Sequence, residues 1–182
     1  MIAKTGCGSV AGEHKNRSYI KREDWEKHLN SEVVMIYRDP VERFFSAFVH
    51  YFIVDNEKYR LGKPWLIENG FPEDNMDSSD LVMVKKKFSF VMDNLHKLDS
   101  EMEVHHWHSI TDSCDFDAFP NTRVIRQSQI EEVLHCPKII NQSTYPKDGK
   151  KIYRHKDIMT SSQIERVKKI YEKDYEILKK IT

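Results

Sequence analysis

The stretch "VVMIYRDPVERFFSAF", residues 33–48, changes its period in the middle, and that change constrains the fold more than any other feature of the chain. Val33 to Asp39 opens on a continuous apolar run with β-branched residues, the pattern of a strand buried on both faces. Pro40 follows it. Its fixed φ and missing N–H suit the first position of a helix, and Asp39 before it suits the N-cap. The predicted helix runs to about Phe52.

The same alternation returns in "NTRVIRQSQIEEVL", which predicts a strand at Arg123 to Arg126 and then a helix capped by Ser128. Leu81, Val84, Phe88, Val91 and Leu95 recur at helical spacing and predict a long amphipathic helix. In "TSSQIERVKKIYEKDYEILKKI" the predicted apolar stripe is Ile164, Val167, Ile170, Tyr171 and Ile177. Strand–helix alternation predicts an α/β fold, with a P-loop-type central parallel sheet flanked by helices. A length of 182 residues fits one domain over 1–182. "YRLGKPWLIENGFPEDNMD" and "NQSTYPKDGKKIYRHKD" read as irregular segments, the kind that form lids or binding loops. Trp65, Tyr59 and Phe71 in the first of them suit either sugar stacking or a core.

Composition narrows the partners. The 29 basic residues are balanced by 29 acidic ones, which argues against bulk electrostatic binding of nucleic acid. Cys7, Cys114 and Cys136 are odd in number and far apart, as in a protein of reduced thiols. No window approaches the ~18 apolar residues of a membrane span. The expectation is a soluble, cytoplasmic protein with no membrane partner.

Two motifs carry chemistry. In "AKTGCGSV" the glycines Gly6 and Gly8 let backbone N–H groups approach a ligand closely, while Thr5 and Ser9 add hydroxyls. A helix starting near Ser9 would aim its positive end at an anion, with Cys7 and Val10 completing the loop and Lys4 adding a point charge. In a Walker A loop the lysine follows the last glycine, whereas Lys4 precedes both, which disfavours hydrolysis of ATP or GTP. In "RDPVERFFSAF" Arg38 ends the predicted strand, where ligands of open α/β sheets bind, and Ser46 follows in the helix. A guanidinium fork and a hydroxyl suit a terminal phosphate. Arg43 either reaches the same site or pairs with Asp39 or Glu42.

Together these motifs resemble the sulfotransferases that use 3'-phosphoadenosine 5'-phosphosulfate, and within them the carbohydrate-acting, Golgi-type branch. That family opens with P-K-x-G-x-[TS]-[ST]; here Ala3 replaces the proline and Gly8 a threonine or serine. Its second signature, R-[DN]-P-x-x-R-x-x-S-x-[FY], is matched by "RDPVERFFSAF" at each defined place. Likeness continues through "VHHWHSITDSCDFDAF", "NTRVIRQSQIEEVL" and "IYEKDYEIL". The resemblance implies that Lys4, Thr5, Gly6, Cys7, Gly8, Ser9 and Val10 grip the 5'-phosphosulfate, and that Arg38 and Ser46 hold the 3'-phosphate. It implies that Lys151 and Arg154, in the segment after "NQS", fold over the nucleotide. The implied products are a sulfated carbohydrate or other hydroxyl-bearing acceptor and adenosine 3',5'-bisphosphate, without a metal.

Such a transfer is an in-line displacement in which positioning and charge stabilisation dominate. Lys4 suits the charge gained by the leaving phosphate. The acceptor hydroxyl needs a base, and His14 in "HKNRSYIK" is the favoured candidate, with His28, His106 and His108 as alternatives and Glu13 a minor one. His105, His106, His108 and Cys114 also permit a zinc site by ligand type. Two other functions stay open: a small P-loop kinase that uses ATP and Mg²⁺, and a non-catalytic nucleotide-binding module.

Overall fold

In chain order the elements are β1 (Val33–Tyr37), α1 (Pro40–Phe48), α2 (Gly62–Glu68), α3 (Leu81–Asp93), β2 (Thr122–Arg126), α4 (Ile130–Leu134), α5 (His155–Ile158), α6 (Ser161–Ile170) and α7 (Glu172–Ile181). The computed structural model describes residues 26–27, 33–53, 62–75, 80–98, 107, 109, 122–134 and 153–181. Contacts divide the chain into two compact units. The first takes in the described residues within Met1–Asp39, His108–Ser143 and Tyr171–Thr182; the second takes in those within Pro40–Trp107 and Thr144–Ile170.

The first unit is built on β1 and β2, which pair in parallel with Val33 opposite Thr122 and Tyr37 opposite Arg126. Alternating side chains send β1 into two cores. Val34 and Ile36 pack with Ile125, Ile130 and Val133, whereas Met35 and Tyr37 pack with Val124 and Leu178. So α4 supplies the apolar cover of one face and α7 that of the other. The expected two-faced burial of the first strand is therefore found.

The expected P-loop-type central parallel sheet is not. Among the described residues the fold is mostly helical and its sheet has only two strands. The physical reason lies in the spacing of the apolar residues. Outside β1 and β2 the buried ones recur every three or four positions, as Val84, Phe88 and Val91 do, and that period places a stripe on a helix. β2 is exposed at Arg123 and Arg126 and fully buried only at Ile125, so it does not read as the inner strand of a larger sheet.

The second unit is helical and filled with rings. α1 buries Phe44, Phe45 and Phe48, and the chain then continues as a π-helical segment, Val49–Ile53, in which Tyr51, Phe52 and Ile53 are all buried. Phe88 of α3 meets Phe48 edge-on at 4.9 Å and Phe44 at 6.1 Å. Trp107 meets Phe44 at 4.9 Å and lies parallel to Tyr51 at 6.1 Å. Edge-to-face and offset pairs of this kind add about 0.5–1.5 kcal/mol each beyond the area they bury. Gly62, which opens α2, lies so close to the Tyr51 carbonyl that a Cβ there would collide with backbone.

Helix ends follow local chemistry. Asp80 caps α3 by accepting from the Val82 N–H at 2.8 Å. Thr160 and Gln163 form a reciprocal capping box before α6: the Gln163 N–H donates to Thr160 Oγ1 at 3.2 Å, and the Thr160 N–H donates to Gln163 Oε1 at 2.9 Å. Gln163 Nε2 also donates to Ser89 Oγ at 3.0 Å, which ties α6 to α3. The terminal stretch, predicted as one stripe, is two helices broken at Tyr171. Val167, Tyr171 and Leu178 are buried, whereas Ile170 is 49% exposed. An apolar residue one position off the four-residue row faces water.

Candidate functional site

Parallel pairing puts the carboxyl ends of β1 and β2 at one edge of the first unit. Each end carries an arginine. Arg38 is the residue directly after β1 and is half-buried; Arg126 is the last residue of β2 and is exposed. Arg126 is held in place, because its Nε donates to the Tyr37 hydroxyl at 2.8 Å. Tyr37 is 8% exposed and is anchored among Met35, Val124 and Leu178.

The same unit carries further polar pairs. The Tyr175 hydroxyl of α7 donates to Asp39 Oδ2 at 3.1 Å. One residue earlier in sequence, Asp174 is fully buried and accepts from the Ser109 hydroxyl. The Arg126 N–H donates to Gln129 Oε1 at 2.8 Å across the 3-10 turn Gln127–Gln129. The expected cap at Ser128 is thus replaced: Gln129 accepts the bond, and Ser128 lies inside the turn, exposed. A longer amide side chain reaches back three residues, as the hydroxyl of Ser128 does not.

Ser46 lies on α1, in the second unit, and is half-buried. Arg43, three residues before it, is completely buried in that unit. Arg154 precedes α5 and is exposed, with its Nε 3.3 Å from Asp157 Oδ2. An exposed pair of this kind adds little stability. Trp65 and Phe71, which suited sugar stacking or a core, are core residues. Trp65 packs on Phe52 at 5.5 Å and donates from Nε1 to the Lys97 carbonyl at 3.2 Å, while Phe71 meets Phe90 at 5.2 Å.

Lys4, Thr5, Gly6, Cys7, Gly8, Ser9, Val10, His14 and Lys151 lie outside the described residues, as do Glu13, His28, Tyr59, His105, His106, His108 and Cys114. Among the described residues no three His, Cys, Asp or Glu side chains stand together as metal ligands, and no helix is long and apolar enough to cross a membrane.

The sequence alone does not reveal the Tyr37–Arg126 pair. Tyr37 reads there as one more residue of an apolar run, and Arg126 as the end of a separate strand. Their opposition follows from the register, which no local pattern in either segment fixes.

A class of enzyme is defined by comparison of the whole chain with protein families. The model described as "Sulfotransferase family" matches residues 9–180, so nearly all of the chain, including the Arg38–Ser46 motif, falls within it. The chain belongs to the sulfotransferase family. Neither a curated protein nor a solved structure matches it significantly.

Proposed function

We propose that the protein transfers a sulfuryl group from 3'-phosphoadenosine 5'-phosphosulfate to a hydroxyl of a carbohydrate acceptor. The observation that carries this reading is the motif "RDPVERFFSAF" inside a family match that spans residues 9–180. The cationic edge of the first unit supports it, because a half-buried arginine just past a parallel strand suits a phosphate monoester.

In this reading the nucleotide is a donor substrate that supplies an activated sulfur–oxygen bond to its 5'-phosphate. Arg38 and Ser46 bind the 3'-phosphate, and what supports them is the motif. Lys4 and the loop from Thr5 to Val10 hold the 5' end, with Lys4 balancing the charge left on the departing phosphate oxygen. Lys151 and Arg154 close over the nucleotide. His14 accepts the proton of the acceptor hydroxyl as that oxygen bonds to sulfur.

The test is acceptor-dependent release of adenosine 3',5'-bisphosphate from the donor, measured with a chelator present and a panel of oligosaccharides. Release with at least one sugar supports the reading. Absence of release from donor and sugars, together with phosphate transfer from ATP–Mg²⁺, overturns it. His14→Ala is expected to lower turnover by about a hundred-fold or more, with donor affinity little changed. Unchanged turnover would move the base to His28, His106 or His108.

A further inference from the structure

We propose that Arg126, positioned by Tyr37, is a second phosphate-holding arginine beside Arg38. The inference deepens the nucleotide reading above and rests on it.

Four observations converge, all within the first unit. Tyr37 and Arg126 are register partners at the carboxyl end of a parallel pair, and Arg38 is one residue further along the adjacent strand. Neighbouring strands run about 5 Å apart, so both arginines start from the same edge. Arg126 is bound through Nε to a neutral hydroxyl and through its backbone N–H to Gln129, and its Nη groups make no ion pair among the described residues. No carboxylate among the described residues therefore cancels its charge. Arg154 and Arg166 differ, since each faces a carboxylate, Asp157 and Asp93 respectively.

The geometry has a chemical consequence. An Nε held by a fixed acceptor sets the plane of the guanidinium and leaves its two Nη groups as the donating edge. That edge is suited to two parallel hydrogen bonds to a phosphate. A phosphate monoester carries up to two negative charges at neutral pH and has three terminal oxygens, enough for two forks. Tyr37 acts as a positioning residue, because it contacts the arginine and stays buried in the apolar layer.

Arg123 provides an internal control. It lies on the same strand and is likewise exposed, but it is three residues back from the edge, about 10 Å along the strand. General electrostatic attraction would make Arg123 and Arg126 equivalent. A built site would not.

The experiment is calorimetric titration of adenosine 3',5'-bisphosphate, and of AMP, into the wild-type protein and the variants Arg126→Ala, Arg123→Ala and Tyr37→Phe, with thermal melts of each. The inference predicts that Arg126→Ala weakens bisphosphate binding by about ten- to hundred-fold, with AMP changed by no more than about two-fold. Arg123→Ala is expected to leave both ligands within about two-fold, and Tyr37→Phe to weaken the bisphosphate by a few-fold at an unchanged AMP affinity. If Arg126→Ala behaves like Arg123→Ala while Arg38→Ala still weakens the bisphosphate, this inference fails and the nucleotide reading survives. If the wild-type protein does not prefer the bisphosphate over AMP, both fail.

Discussion

Around β1 and β2 the first unit closes on small aliphatic clusters and on hydroxyls that meet charged groups: Tyr37 with Arg126, Tyr175 with Asp39, Ser109 with Asp174. The second unit is held by rings, with Phe44, Phe45, Phe48, Phe52, Phe88 and Trp65 packed edge to face or tilted. Rings bury much area and lose much when cut back, whereas an exposed arginine at a strand end carries charge without filling the core. The contrast teaches where each kind of mutation should register. Changes in the aromatic unit should be felt as stability, and changes at the strand edge as ligand binding.

Phe88→Ala is the strongest way to break that division. Phe88 is fully buried among three phenylalanines, so its truncation is expected to cost about 3–5 kcal/mol in denaturant unfolding. A loss below about 1 kcal/mol would mean that the rings do not carry the unit. Arg38→Ala should do the reverse: adenosine 3',5'-bisphosphate affinity falls by about ten- to hundred-fold, and unfolding moves far less than for Phe88→Ala, by about 1 kcal/mol or below. Equal weakening of the bisphosphate and of an analogue without the 3'-phosphate would remove Arg38 from the site.

Gly62→Ala sharpens the comparison from the backbone side. The added Cβ meets the Tyr51 carbonyl, which cannot rotate away as a side chain can, so about 1–3 kcal/mol of destabilisation is expected. A melt unchanged from wild type would contradict that close approach. The smallest effect is Asp80→Ala, which removes the cap bond to Val82 and should cost about 1 kcal/mol, read in the same melts. No change there would mean that water replaces the cap without loss.

How far the fold was legible depended on whether the deciding contact was local. Pro40 at the first helical position announced α1, because its preference is set by its own ring. Val33–Tyr37 announced a strand covered on both faces, and the cores around Ile36 and Met35 bear that out. The extent of the sheet was not legible. Two strand–helix alternations are compatible with many sheets, and the aromatic residues of α1 and α3 fit a helical core as well as the cover of a sheet. Tyr171 looked like one more member of a continuous stripe, yet the helix breaks there and Ile170 faces water. A period of three and four residues tolerates either neighbour, and packing decides between them.

The candidate site was legible only in part for the same reason. Arg38 and Ser46 belong to one short motif and could be picked out together. Arg126 lies 88 residues beyond Arg38 in the chain, and only the register of β2 on β1 brings it to the same edge. Non-local pairing of that kind leaves no trace in either segment alone.

The most direct test of the central claim is calorimetric titration of the wild-type protein with adenosine 3',5'-bisphosphate, with AMP and ATP–Mg²⁺ run in parallel. A sulfotransferase site predicts that the bisphosphate binds at least about ten-fold more tightly than AMP, with no need for Mg²⁺. Equal affinity for the bisphosphate and AMP, or binding of ATP–Mg²⁺ above both, would contradict it.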